Sequence, residues 1–131
     1  MALDHIGFAV ADFPASRAFY LAALGPLGLE QHSAGDDWLL IGDAAGPQFW
    51  FGAATLAGPP PGHIHLAFAA ADRSRVDAFH AAAIAAGGQD HGAPGLRPQY
   101  HPHYYAAFIT DLNGHNIEAV CHGPGAAGDQ T

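Results

Sequence analysis

Lysine is absent from the sequence, and four arginines are the only other strongly basic residues. Twelve acidic residues give the chain a formal net charge of -8 at pH 7. A surface of that charge repels both a phosphate backbone and anionic lipid headgroups. We therefore expect neither nucleic acid nor a membrane as a partner.

Cysteine is also scarce, because Cys121 is the only one, so an intramolecular disulfide is excluded. No apolar run is long enough to cross a bilayer, and no basic segment followed by an apolar one marks a signal peptide. We expect a cytoplasmic protein. Glutamate is limited to Glu30 and Glu118, whereas histidine occurs ten times. Histidine is the commonest metal ligand and a frequent acid or base, so it is the first place to look for chemistry.

The chain repeats itself at an offset of sixty residues. The informative identical pairs fall at matching positions of a strand, a helix start and a helix end: His5/His65, Phe8/Phe68, Asp12/Asp72, Phe19/Phe79 and Gly28/Gly88. Each aspartate stands where a helix N-cap belongs. In the second copy, Gly87 and Gly88 provide the left-handed stop that ends a helix.

Short apolar runs with turn residues between them predict the strands. The first copy offers strands at 3–10, 28–33, 38–42 and 48–52, and the second at 63–70, 89–92, 104–110 and 116–121. Each copy therefore reads strand, helix, strand, strand, strand. We divide the chain into a first module at 1–57, a proline-rich linker at 58–62, a second module at 63–122 and a flexible tail at 123–131.

Three phrases carry a family resemblance: LDHIGFAV from residue 3, HLAF from residue 65 and DLNGHNIE from residue 111. With the paired pattern they resemble the vicinal oxygen chelate superfamily, which includes glyoxalases, extradiol dioxygenases and bleomycin resistance proteins. The resemblance covers nearly everything before the tail. It implies an α+β fold in which two βαβββ modules form an incomplete β-barrel, with metal ligands on the first and last strands of each module.

That resemblance implies a metal site at His5, His65 and Glu118. Glu118 lies in an apolar strand, and a buried carboxylate must meet an arginine, take up a proton or bind a cation. Two imidazoles and one carboxylate suit a single divalent ion of Fe, Zn, Mn, Ni or Co, with positions left open for water and substrate.

Simpler interpretations exist for each of these residues. A histidine in an apolar strand is often only a hydrogen-bonded core residue, and the carboxylate could instead pair with Arg97 or Arg17. His63 shares a strand face with His65 and competes with it for the role of ligand, or lines the substrate pocket. The repeat favours His65, because it pairs His65 with His5.

The fourth ligand position of the family is where this chain departs from it. Aligning Gly46 with Gly114 places Trp50 at the position equivalent to Glu118, where glyoxalase I type enzymes have a metal ligand. Trp50 cannot bind a metal, so the glyoxalase I reaction is disfavoured. The set of two His and one Glu looks like that of extradiol dioxygenases. Trp50 is then expected to be a wall of the substrate pocket or a packing residue.

The turn at residues 111–114 allows further groups to be placed. Direct pairing across it puts Ala107 opposite Glu118, so that Tyr105 projects to the same face. A slip of one residue would exchange Tyr105 for Tyr104. Tyr105 could hydrogen-bond a bound substrate, and a nearby histidine could shuttle a proton. The candidate catalytic groups are Tyr105, His103 and His101, whereas surface or turn positions are expected for His80, His91, His115 and His122.

The resulting hypothesis is a homodimeric, metal-dependent enzyme that chelates two neighbouring oxygens of a small-molecule substrate. The resemblance implies catechol ring-opening if the metal is Fe(II), and isomerase or lyase chemistry with the other ions. The alternative is a small-molecule binding protein similar to the bleomycin resistance proteins, without catalysis. A third possibility is a domain that has the fold but binds no metal.

Overall fold

The computed structural model of the chain describes residues 3–124. The first module contains β1 (Ile6–Val10), α1 (Phe13–Leu24), a 3-10 turn (Gly25–Leu27), β2 (Glu30–Ala34), β3 (Trp38–Asp43), β4 (Gly46–Ala53) and α2 (Ala54–Ala57). The second contains β5 (His65–Ala69), α3 (Arg73–Ala85), β6 (Gln89–Leu96), β7 (Tyr105–Thr110) and β8 (Asn116–Cys121). The predicted pair of βαβββ modules is confirmed.

Each module forms one four-stranded mixed sheet, and the two sheets do not close into a barrel. The strand orders are β1-β4-β3-β2 and β5-β8-β7-β6, with the first strand of each module parallel to its last. The first strand of each module is therefore an edge strand.

The helices begin where the sequence predicts. The carboxylate of Asp12 accepts a hydrogen bond from the backbone N–H of Ala15 at 3.1 Å, and that of Asp72 accepts one from Arg75 at 2.9 Å. Both aspartates are thus N-caps. After α3 the chain reverses at Gly87, whose φ of 108° is the left-handed conformation that favours glycine.

Several predicted boundaries differ from the structure. The first strands start at Ile6 and His65, later than expected, and β6 continues to Leu96 through two register shifts. Helix α2 was not predicted, because a run of four residues shows no helical periodicity. The predicted tail begins at Gly123, but residues 125–131 lie outside the part of the chain described. Among residues 3–124, no helix is long and apolar enough to span a membrane.

The two sheets share one core, on the sides covered by the helices. Phe49 and Phe51 of the first sheet belong to the same buried cluster as Ile117 and Ala119 of the second. Helix α1 also packs on α3. The opposite face of each sheet consequently lies on the outside of the chain. In the second sheet this outer face carries His65, Glu118 and Phe108, and we call it the site face.

A buried hydrogen bond ties the modules together. The hydroxyl of Tyr20 on α1 donates to the carboxylate of Asp111, in the turn between β7 and β8. The other oxygen of Asp111 accepts from the backbone N–H groups of Asn113 and His115, both at 2.8 Å. Burial, followed by the charge of Asp111, raises the pKa of Tyr20 well above its ordinary value. The hydroxyl of Tyr20 therefore keeps its proton and links α1 of the first module to the β7–β8 turn of the second.

Candidate functional site

Glu118 is the buried carboxylate of the site face. Glu118 is only 2% exposed, and its neighbours along β8 are Ile117 and Ala119. Strand alternation sends those two side chains into the shared core and Glu118 to the other side. A charge held this far from water needs partners with strong hydrogen-bond donors or a cation.

One partner of Glu118 comes from β5 and the other from the residue just before β7. Nε2 of His65 lies 2.9 Å from Oε1, and the hydroxyl of Tyr104 donates to Oε2. His65 is half exposed while Glu118 is enclosed. Burial, and next the hydrogen bond to Glu118, raise the pKa of Tyr104 to about 12. Tyr104 is therefore a hydrogen-bond donor throughout the physiological range.

The predicted register of the hairpin is wrong by one residue. Phe108, not Ala107, pairs with Glu118, because β7 and β8 are joined with Thr110 opposite Asn116. Tyr105 consequently turns to the helix side, where its hydroxyl donates to Asp77 at 2.6 Å. The catalytic position expected for Tyr105 is occupied by Tyr104.

A pair of histidines extends the site beyond Tyr104. Nε2 of His101 lies 2.8 Å from Nδ1 of His122, and their rings stack with centroids 5.1 Å apart. Both rings meet Tyr104 edge-on, at 5.4 and 5.2 Å. Nδ1 of His101 accepts the backbone N–H of His103 at 3.1 Å, so His101 holds its proton on Nε2 and donates to His122. His103 itself is exposed.

His5 does not join this group within the chain. It is exposed just before β1, and its Nδ1 bonds to Asp4 at 2.7 Å. Within residues 3–124 no three His, Cys, Asp or Glu side chains are arranged to hold a metal. His5 instead lines a groove of about 660 Å³, together with Gln48, Ala67 and Phe68. The groove connects the start of the first module with the edge strand β5.

Trp50 has the position in the first sheet that Glu118 has in the second. Trp50 pairs with Gly7, and Glu118 pairs with Ala67, sixty residues after Gly7. The predicted equivalence is confirmed. A Cβ added to Gly7 would lie 3.1 Å from Cε3 of Trp50, so the indole rests directly on β1. The first module thus presents an aromatic surface where the second presents a carboxylate.

The geometry of His65 and Glu118 fits a shared metal ion. Two ligands bound at about 2.1 Å and at right angles to each other place their donor atoms about 3 Å apart. The Nε2 and Oε1 atoms lie 2.9 Å apart. Borderline ions such as Zn²⁺ or Fe²⁺ accept this imidazole and carboxylate pair. The separation is that of a direct hydrogen bond and is also compatible with two ligands of one cation.

Neither arginine that was considered as a partner reaches Glu118. Arg17 donates to the side-chain oxygen of Gln31, at 3.3 and 3.1 Å. Arg97 donates to the carbonyl oxygens of Gly95 and Ala93, both at 2.8 Å. Neither Arg17 nor Arg97 is thus what balances the buried carboxylate.

The other histidines are separate from Glu118. His63 is exposed and bonds through Nδ1 to the carbonyl oxygen of Gly114 at 3.1 Å, at the turn before β8. His80 bonds to Asp90 on the surface at 2.9 Å. His115 follows the turn but is buried, contrary to a surface position, and its Nδ1 accepts the N–H of Ile64 at 3.2 Å. These contacts are structural.

Two features of the site face were missed from the sequence. His122 is exposed, as expected, but nothing in its local pattern indicates a partner twenty-one residues earlier. Arg97 was considered only as a partner of Glu118, whereas its guanidinium lies over the ring of Phe108, 5.4 Å from the centroid. The sequence signal for this placement is the pair Gly92 and Gly95, because glycines just before Arg97 leave space on the strand for its side chain.

Comparison with known proteins agrees with this architecture. A model of the Glyoxalase/Bleomycin resistance protein/Dioxygenase superfamily matches residues 2–119. A glyoxalase/bleomycin resistance protein from Albidiferax ferrireducens T118 has a solved structure that is 32% identical, with a TM-score of 0.79. The match covers 94% of this chain and 100% of that chain. The chain therefore belongs to the glyoxalase/bleomycin resistance protein/dioxygenase superfamily.

More distant structures show the same fold. A glyoxalase-related enzyme from Fulvimarina pelagi is 18% identical with a TM-score of 0.72, over 100% of this chain and 96% of that chain. Lactoylglutathione lyase from Agrobacterium tumefaciens is 17% identical with a TM-score of 0.68, over 92% of both chains. The comparison with curated proteins gives no match.

Proposed function

We propose that the protein binds one divalent metal through His65 and Glu118 and uses it to hold two neighbouring oxygens of a small substrate. The observation that carries this proposal is the 2.9 Å separation between Nε2 of His65 and Oε1 of the buried Glu118. Membership of a superfamily that includes metal-dependent lyases and dioxygenases supports it.

The third ligand in this proposal is His5 of a partner subunit. Within residues 3–124, His5 lines the groove beside β5 but forms no three-ligand cluster with His65 and Glu118. His5 and Gly7 are exposed in the first module, and His65, Ala67 and Ala69 in the second. Exposed edge strands such as β1 and β5 favour pairing with another chain. A two-fold dimer would then contain two identical sites.

The bound metal would act as a Lewis acid that stabilises negative charge developing on a substrate oxygen. Tyr104 fixes the orientation of the Glu118 carboxylate by donating to its second oxygen. The stacked His101 and His122 lie beside Tyr104 and can accept or release a proton at the exposed rim.

The reaction class that we favour is extradiol dioxygenase-like or lyase and isomerase chemistry. Trp50 occupies the position equivalent to Glu118, so a fourth protein ligand is missing from this arrangement. A set of two His and one carboxylate leaves several coordination positions for substrate and, with Fe(II), for dioxygen.

A binding protein without catalysis is the second candidate. The observation in its favour is that His65 and Tyr104 already supply one hydrogen bond to each oxygen of Glu118. A protonated His65 would balance the carboxylate without a metal. The groove beside His5 would then hold a ligand by shape and apolar contact alone.

Metal analysis separates these two candidates. We expect protein purified without chelator to bind about one equivalent of Zn²⁺ or Fe²⁺ per chain, and Glu118→Gln to weaken that binding at least a hundredfold. Glu30→Gln is the matched control, because Glu30 is the only other glutamate and is exposed on β2. Equal metal content in both variants contradicts the proposed site.

A mixed dimer tests the origin of the third ligand. His5→Ala and Glu118→Gln each remove a ligand, so neither variant alone forms a complete site. Co-expressed with different tags and purified as a mixed dimer, they retain one intact site if His5 comes from the partner. We expect half of the wild-type metal content. No metal in the mixed dimer would show that the ligands come from one chain.

The reaction classes are then separated by substrate. Oxygen consumption with a panel of catechols after anaerobic Fe(II) loading tests the dioxygenase, and turnover of a methylglyoxal hemithioacetal tests the glyoxalase reaction. We expect the second to be absent, because Trp50 replaces a ligand.

A further inference from the structure

Arg97 is a cation held rigidly on the site face. Its Nη1 donates to the carbonyl oxygen of Gly95 and its Nη2 to that of Ala93, each at 2.8 Å. Its backbone N–H donates to the carbonyl oxygen of Tyr104 at 2.7 Å. Both the main chain and the end of the side chain are therefore fixed. This order opposes the conformational entropy of a long side chain, which would otherwise sample many rotamers.

Two glycines of β6 make room for this side chain. A Cβ added to Gly92 would lie 3.3 Å from Nη2 of Arg97 and 2.9 Å from Cδ1 of Phe108. A Cβ added to Gly95 would lie 3.3 Å from Nη1. The register of β6 shifts at both glycines. The strand is thus shaped so that the guanidinium can lie flat across it.

The guanidinium of Arg97 and the ring of His65 both lie beside Phe108 on the site face. The guanidinium lies 5.4 Å from the ring centroid of Phe108, and the ring of His65 lies 6.2 Å from the same centroid. Phe108 is the residue that pairs with Glu118. Arg97 and His65 therefore both lie beside Phe108, so one small molecule can reach the His65 and Glu118 pair as well as the guanidinium.

The charge of Arg97 is available to a ligand. Within residues 3–124, its side chain has two main-chain carbonyl oxygens as hydrogen-bond acceptors and no carboxylate in an ion pair. A guanidinium has five N–H donors, so three are left over. Two donors in a planar fork fit a carboxylate well. In a chain of net charge -8, a fixed cation on this face selects for an anion.

We infer that the ligand of this site is a small carboxylic acid, whose carboxylate is bound by Arg97. The statement that the other end of this ligand carries two neighbouring oxygens rests on the proposed function. The contact with Arg97 does not, because it uses no metal.

The test compares 3,4-dihydroxybenzoate with 3,4-dihydroxybenzamide by isothermal titration calorimetry. The two molecules differ in the charge of one group. We expect wild-type protein to bind the acid at least about tenfold more tightly than the amide, since a hydrogen bond to a charged group contributes about 1.5–3 kcal/mol. Arg97→Gln should weaken binding of the acid much more than binding of the amide and so abolish this preference, and its circular dichroism spectrum should match that of wild-type protein, which shows that the variant is folded.

Arg17→Gln is the control, because it removes the same charge away from the site face and should keep the preference. All titrations are repeated on Glu118→Gln. A preference for the acid that persists there supports the role of Arg97 even if the metal proposal fails. Equal affinities of wild-type protein for acid and amide, an unchanged preference in Arg97→Gln, or no binding of the acid at millimolar concentration would overturn the inference.

Discussion

The hydrogen bond from Tyr104 to Glu118 gives a quantitative test of the site. A hydrogen bond to a charged group contributes about 1.5–3 kcal/mol, and one between neutral groups about 0.5–1.5 kcal/mol. Tyr104→Phe removes the bond to the buried carboxylate, so we expect the free energy of unfolding to fall by about 1.5–3 kcal/mol. In a protein of this size that lowers the melting temperature by about 5–10 °C.

A double-mutant cycle isolates the pair. In Glu118→Gln the side chain keeps its shape, and the bond from Tyr104 becomes a neutral one. The coupling energy between Tyr104→Phe and Glu118→Gln should therefore be about 1 kcal/mol or more. The matched control is Tyr105→Phe, because that hydroxyl bonds to Asp77 on the opposite face of the sheet.

Urea denaturation of the four proteins in each cycle measures both couplings. We expect the coupling of Tyr105 to Glu118 to be zero within about 0.5 kcal/mol, as for groups that share no partner. A larger coupling for Tyr105 than for Tyr104 would refute the register of β7 and β8 and, with it, the site described above.

Three further predictions concern pH and packing. The folded protein holds the proton of Tyr104 up to about pH 12, whereas the unfolded chain releases it near the ordinary pKa of 10. The free energy of unfolding of the wild-type protein therefore falls as the pH rises between these two values. Alkaline denaturation should show a smaller fall in Tyr104→Phe, and an equal fall would contradict the raised pKa. Tyr20→Phe removes one hydrogen-bond donor from buried Asp111, so the free energy of unfolding measured by urea denaturation should fall by about 1–3 kcal/mol. A fall of less than about 0.5 kcal/mol would contradict the role of this bond. Gly42→Ala places a Cβ 2.2 Å from the carbonyl oxygen of Gly46, so it should lower the melting temperature strongly, whereas Gly62→Ala, which meets nothing within 4 Å, should not.

The repeat made the fold predictable. A duplicated pattern restricts each element twice, so an uncertain strand in one copy is supported by its equivalent in the other. The N-caps at Asp12 and Asp72 follow from the offset of sixty residues, and the equivalence of Trp50 with Glu118 follows from aligning the turns at Gly46 and Gly114; the structure confirms both. Helix α2 was not indicated, because a run of four residues is too short to show helical periodicity.

The candidate site was less predictable, because it depends on register and on the relation between modules. Side chains alternate along a strand, so an error of one residue exchanged Tyr105 for Tyr104. Alternation also placed His5 and His65 on equivalent faces, but it carries no information on whether those faces meet within one chain. The contact of His101 with His122 joins a loop to the end of β8, and no local signal specifies such a contact.

The close approach of Trp50 to Gly7 limits the size of the residue that β1 accepts at this point. A Cβ added at position 7 would lie 3.1 Å from Cε3 of the indole, whereas the equivalent residue of the second sheet, Ala67, carries such a Cβ beside Glu118. An alanine at position 7 would therefore require the indole to shift by a few tenths of an ångström. In each sheet the residue on the first strand is thus matched in size to its partner on the last.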